Sequence, residues 1–190
     1  MTPEKILKPL IIVLGCFLAL GSFSSVEGGE FRLVSSQWRE GGTVPRENLF
    51  NGSGCQGANI SPEIHWSGAP AGTRSFAITM VDPDAPAPGG WWHWVAWNIP
   101  GTVSGLPAGA GNKGSKALPA SSVQCKNDYG ELGYGGPCPP PGTTHHYVLR
   151  IYALSLPKLS PASDQEPAKV ARLIEEHSIG VAQLTMKFGR

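Results

Sequence analysis

Two carboxylates stand between prolines in Met80-Val81-Asp82-Pro83-Asp84-Ala85-Pro86, just ahead of a histidine set among indoles, Trp91-Trp92-His93-Trp94. A second cluster, Gly136-Pro137-Cys138-Pro139-Pro140-Pro141-Gly142-Thr143-Thr144-His145-His146-Tyr147, adds two histidines and a phenol behind a proline-rich loop. Imidazoles, a phenolic hydroxyl and the amides of a glycine-proline loop can all donate hydrogen bonds to an anion. A carboxylate beside an imidazole fixes its tautomer and favours its charged form. The pattern reads as an anion pocket in which Asp82 and Asp84 orient and charge His93 and His145. The acids, or a tryptophan face, could also meet a cation on the same ligand. A zwitterion bearing phosphate and ammonium fits that description.

Such a pocket needs rigid elements to hold it. Phe76, Ile78 and Met80 alternate with Ala77, Thr79 and Val81, which predicts a strand ending at Asp82-Pro83. Trp91 to Ile99 predicts another, closed by Pro100-Gly101. His145 to Leu154 is apolar on both faces and is expected to be a central strand. Gln183 to Phe188 reads as the last one. Alternation places His145 and Tyr147 on one face and His146 on the other. The prolines on either side stiffen both turns, and loops gathered at strand ends are where sites form. Trp91, Trp94 and Trp97 are read as core, Trp92 as the pocket rim. A single helix is expected near residues 165–179, from Val170, Leu173, Ile174 and His177, with Ser163 or Asp164 as cap and Pro167 in the first turn. The chain is therefore mostly β. Residues 101–124 read as loop.

Length and composition bound the rest. A chain of 190 residues suits one domain. Lys5 and Lys8 precede an apolar run from Leu10 to Leu20, and small residues follow, so residues 1–24 read as a secretory signal peptide and residues 25–190 as the domain. A lipoprotein leader ending at Cys16 ranks second, since Phe17-Leu18-Ala19-Leu20 continues the apolar run. Cleavage removes two lysines and one glutamate and takes the formal charge from +1 to 0. Neither nucleic acid nor an anionic membrane surface is expected to attract such a chain. Gly109-Ala110-Gly111-Asn112-Lys113-Gly114 matches a dinucleotide fingerprint but lacks the strand and helix that would make it one, and reads as a loop. Asn51-Gly52-Ser53 and Asn59-Ile60-Ser61 are glycosylation sequons. Cys55, Cys125 and Cys138 suit one disulfide and one free thiol in an exported protein. Without a Cys-x-x-Cys pair no zinc site is expected.

The run Asn59-Ile60-Ser61-Pro62, Trp66-Ser67-Gly68-Ala69-Pro70, DPDAP, GWWHWVAWNIP and GPCPPPG-x-x-H-x-Y resembles the phosphatidylethanolamine-binding proteins, also called Raf kinase inhibitor proteins, and most of all their short bacterial and archaeal branch. The resemblance runs from about Phe31 to Arg190. It implies two packed antiparallel sheets with a few short helices, and a small end pocket for phosphate-like anions and phosphorylethanolamine head groups. The pocket residues it implies are Asp82, Asp84, Pro86, His93, Gly136, Pro140, His145 and Tyr147. One position departs from the family pattern: His146 stands where arginine is usual. The resemblance suggests a homodimer and a protein partner such as a protease or kinase, but no cofactor. The expectation is a secreted or periplasmic binding protein and not an enzyme. The alternatives are a hydrolase using the His/Asp pocket, with Cys138 as nucleophile if free, and a protease inhibitor acting through a surface loop. The turn at Gly52-Ser53-Gly54-Cys55 and the proline loop are both expected to border the pocket. Among the open pairings we therefore expect Cys55–Cys138, with Cys125 free.

Overall fold

Apolar alternation becomes strand wherever it is bounded by glycine and proline turns. The computed structural model describes residues 29–161 and 164–190; the leader read over residues 1–24 and the cap read at Ser163 lie outside them. In chain order the elements are β1 (Arg32–Val34), β2 (Ile64–Ser67), β3 (Ser75–Asp82), β4 (Trp91–Pro100), β5 (Gly105–Leu106), β6 (Val123–Gln124), β7 (Thr144–Leu154), α1 (Pro167–Glu176) and β8 (Ser178–Gly189), with a short 3-10 turn at Arg46–Asn48. They form two antiparallel sheets, ordered β1-β2-β5 and β6-β4-β3-β7-β8. The stretch read as loop over residues 101–124 thus contains β5 and β6. The final strand begins earlier than Gln183, because His177 ends the helix and pairing with β7 starts at Ser178.

The two sheets enclose one core. Leu33, Ile64, Trp66 and Leu106 from the smaller sheet meet Phe76, Ile78, Met80, Trp94, Leu149, Ile151 and Met186 from the larger. On its other face the larger sheet is covered by α1, whose Val170 and Ile174 pack on Ala77, Val95, Trp97, Tyr152 and Leu154. Every residue of β3 is consequently buried, and β7 lies between β3 and β8, inside the sheet as expected.

Two irregularities in the β3–β4 pairing decide which side chains face which core. The register slips between Phe76 and Ile78 and again between Met80 and Val81. At the first, Asn98 takes a left-handed φ of 60°, and its side chain bonds both the amide and the carbonyl of Leu159, at 2.8 and 3.0 Å. At the second, Met80 opposes Trp94 while Val81 opposes Trp92, so His93 is the extra residue of a bulge.

The helix differs from expectation at both ends. Its N-cap is Glu166, with no side-chain cap bond, and among the described residues neither Asp164 nor any other side chain caps it. Pro167 at the first helical position has a preset φ and no amide to satisfy, which reduces the need for a cap. His177 is the C-cap, and its Nδ1 donates to Leu173 O at 2.9 Å.

Cys55 and Cys138 are joined, with their Cα atoms 5.9 Å apart. Cys125 is free and buried, and burial pushes its thiol up to about 11. Of the two sequons, Asn59 is buried, and its side-chain oxygen accepts from the Gly136 amide at 2.7 Å. A segment near the N-terminus straps the outer edge of β8: Gly41 N donates to Thr185 O at 2.8 Å, Val44 N to Lys187 O at 3.0 Å, and Lys187 N to Gly42 O at 2.8 Å.

Candidate functional site

A cleft of about 290 Å³ opens where β3 ends and β4 begins. Asp82, Ala85 and Pro86 form one wall, Trp91 and His93 another, and Cys138, Pro139 and Pro140 of the proline loop a third; Ser53, Tyr129 and His145 complete it. A larger groove of about 430 Å³ beside α1 is lined by exposed side chains such as Lys169, Arg172 and Glu176 and, among the described residues, holds no buried titratable group. Chemistry is concentrated in the smaller cleft.

Asp82 is its anchor. Only 4% exposed, it accepts the Asp84 and Ala85 amides on Oδ1 at 2.9 and 3.1 Å, which folds the Asp-Pro-Asp-Ala turn around it. Its Oδ2 accepts from His145 Nδ1 at 2.7 Å. Nδ1 is thereby occupied, and Nε2 is the ring nitrogen left to His145 in the cleft wall.

His93 reaches the cleft through the bulge. Without it, Trp92 and Trp94 would share a face; with it, His93 and Trp94 both turn toward the inter-sheet side, while Trp92 packs against the helix-side cluster. The rim tryptophan is therefore Trp91, opposite Asp82 in the register, and not Trp92. His93 is 1% exposed and its Nδ1 donates to Gly135 O at 2.6 Å. Burial, only partly offset by that carbonyl and the Asp82 charge, pushes the imidazole down to about 4. The expectation that His93 is a charged donor is thus corrected: its ring is neutral, because a desolvated imidazolium is costly. Tyr147 lies fully buried with its ring centroid 5.3 Å from that of His93. Among the described residues, neither His93 Nε2 nor the Tyr147 hydroxyl has a hydrogen-bond partner.

Asp84, Gly136 and the fully buried Tyr147 are not cleft-lining groups. Asp84 turns outward and accepts the His146 amide and His146 Nδ1, both at 2.7 Å, bonds that hold its carboxyl below the usual carboxylate range. His146, on the opposite strand face from His145 as alternation requires, thus has a surface partner of its own. Gly136 sits behind the wall: its amide is taken by Asn59, and its carbonyl accepts the Tyr129 hydroxyl at 3.1 Å. A Cβ there would lie 2.2 Å from Asn48 O, so the close backbone approach requires glycine. Pro86 and Pro140 line the cleft as expected.

Sequence reasoning missed Tyr129 and Arg190. Tyr129 stacks on Phe50 with centroids 4.0 Å apart and meets Trp91 and His93 edge-on at 5.3 and 5.7 Å. It belongs to an Asp-Tyr-Gly turn, which carries no periodic signal. Arg190 bonds Pro139 O at 2.7 Å and Ser53 O at 3.1 Å, clasping the two loops that the disulfide joins.

Fold and cleft together define a class: a two-sheet β protein whose cleft is assembled from an Asp-Pro-Asp turn, a bulge-borne histidine and a cysteine-proline loop running into a His-x-Tyr strand. The chain belongs to the phosphatidylethanolamine-binding protein family, whose model matches residues 34–189. It is 40% identical over 175 residues to the UPF0098 protein YbcL of Escherichia coli (strain K12), covering 92% of this chain and 95% of that one. It is also 40% identical over 157 residues to the UPF0098 protein YbhB of the same strain, covering 83% and 99%. The crystal structure of E. coli YbcL, described as a new member of the mammalian PEBP family, superposes with a TM-score of 0.82 at 41% identity over 85% of this chain and 99% of that one.

Proposed function

We propose that this member of the family is an exported, non-enzymatic binding protein whose cleft takes a phosphate-type group, free or as phosphorylethanolamine. The observation that carries this reading is the buried Asp82–His145 pair, a carboxylate-oriented imidazole with its second nitrogen left for a ligand. Apolar walls of Trp91, Pro86 and Pro140 around one polar pair suit a small, oriented ligand. Export is supported by the leader-like residues 1–24 and by the disulfide, which an oxidising compartment maintains. The hydrolase alternative loses support because Cys138, its candidate nucleophile, is held in the disulfide.

Titration calorimetry with phosphorylethanolamine tests the reading. Asp82→Asn keeps the shape of the turn but removes the charge facing His145, and binding is expected to weaken by about 1–2 kcal/mol. His146→Ala, on the outer face, is expected to change it by less than about 0.5 kcal/mol. The reverse ranking, with Asp82→Asn binding like the parent and His146→Ala failing, would remove the site from this cleft.

A further inference from the structure

We propose that a groove at the end of the larger sheet remote from the cleft is a second ligand site, one that takes a small dianion, either a tetrahedral oxyanion or a dicarboxylate. It stands independently of what the cleft binds. Asp82, Trp91 and His145 bring β3, β4 and β7 to the cleft. The other ends of these strands lie about 25 Å away, the length of the eight residues of β3. There Arg74 and Pro100, Asn98 and Ser121, and Pro157 and Lys158 line a groove of about 320 Å³.

The charges around this groove are unbalanced. It has a guanidinium and an ammonium, and among the described residues no carboxylate lines it. Lys169 pairs with Glu166, Arg32 with Glu30, and Arg190 bonds two carbonyls. Arg74 and Lys158, both exposed, have no ion pair or side-chain hydrogen bond among the described residues. Two like charges on one groove repel, and a doubly charged anion is the species that neutralises both. A monoanion leaves one cation unmatched.

The backbone beneath the two cations is fixed by Asn98, a buried polar residue at the bulge in β4, with a left-handed φ of 60° and 5% exposure. Its Oδ1 accepts the Leu159 amide at 2.8 Å and its Nδ2 donates to Leu159 O at 3.0 Å, which ties the Pro157-Lys158 segment to the strand. Its carbonyl accepts the Ser121 hydroxyl at 3.2 Å and so holds a third segment. On the far side the Arg74 amide donates to Leu154 O at 2.8 Å, and a Cβ on Gly101 would lie 2.9 Å from Arg74 O, so the ends of β3 and β4 touch backbone to backbone. A site whose segments are already tied together loses less freedom on binding. The polar groups suit an oxyanion. A primary amide has two N–H donors, and only one of those on Asn98 is bonded among the described residues. The Ser121 hydroxyl can turn from its long bond to a ligand. The arginine fork and the lysine supply charge-assisted donors, and the two prolines add stiff walls without amides of their own.

The test is an NMR titration of the nitrogen-15-labelled protein with sulfate, succinate and acetate, at an ionic strength held constant with sodium chloride so that general screening does not change. Sulfate, succinate or both should move the Arg74 Nε–H, the Asn98 side-chain amide and the Ser121 amide along one saturating curve, with acetate at least about tenfold weaker. Which of the two dianions binds more tightly tells a tetrahedral ligand from a dicarboxylate. Arg74→Ala and Lys158→Ala, at exposed positions where folding is not at stake, should each weaken that dianion about tenfold at these signals. Neither should alter a curve read at Trp91 and His93 in the cleft. Lys187→Ala, opposite His146 in the register at the cleft end, should leave the groove signals as they are. Shifts that never saturate, acetate binding as tightly as the dianions, or an equal loss in Lys187→Ala would show diffuse surface charge and overturn the site. Saturation confined to Trp91 and His93 would overturn it too, while leaving the cleft reading intact.

Discussion

Lowering the pH from 6.5 to 4 is expected to remove about 3 kcal/mol of folding stability through one side chain, His93. The sign follows from where the proton binds. The imidazole has an ordinary value of 6.5 in the unfolded chain and about 4 in the folded one. Between those values the unfolded state takes up a proton that the native state refuses, so stability is full above pH 6.5, drains as pH falls and stops draining through this group below about 4. Glu63 and Asp84, whose carboxyls are lowered by bonds from Ser36 and His146, lose their contributions only at the acid end, below their ordinary values of 4.5 and 3.8. Urea unfolding at half-unit pH steps reads the effect. In His93→Gln the slope between pH 6.5 and 4 should flatten; a variant curve parallel to that of the parent would show that His93 is not the group responsible.

Reduction of Cys55–Cys138 should lower stability by about 2–4 kcal/mol, because the bridge closes a loop with a sequence separation of 83 and constrains the unfolded chain. The bridge also sets the cleft wall, since Cys138 lines it and Cys55 follows the turn that contributes Ser53. The Arg190 contacts to Pro139 O and Ser53 O span the same gap, so the reduced protein keeps part of the wall geometry and should weaken in ligand affinity less than in stability. Urea unfolding with and without reductant, and with Cys55→Ala/Cys138→Ala, measures it. A difference under about 0.5 kcal/mol would show that the clasp alone suffices.

Much of the cleft was legible because its residues sit on strands with clean alternation. Phe76 to Met80 located β3, its end located Asp82, and period two put His145 and Tyr147 on one face with His146 on the other. Asp82, Pro86, His93, Pro140 and His145 accordingly converge. What escaped was whatever depends on broken alternation or on contacts distant in sequence. The bulge at His93 inserts one residue and exchanges the roles of Trp91 and Trp92, and a run of tryptophans gives no sign of where such an insertion falls. Asp84 left the cleft because His146 offers it two donors at once. The neutral state of His93 follows from its burial, and its tautomer from a carbonyl 42 positions away, both beyond the reach of any local pattern.

The short outer strands have a consequence for association. A sheet edge invites another chain when it offers a long row of free amides and carbonyls. Here β1 has three residues and β5 and β6 two each, while the C-terminal half of β8 is already paired with the Gly41–Val44 strap. Among the described residues, then, the outer edge left open to backbone templating is the N-terminal half of β8, before Thr185. A partner that docks anywhere else must read side chains and loops, so its recognition should be sensitive to point substitutions and insensitive to its own strand-forming tendency.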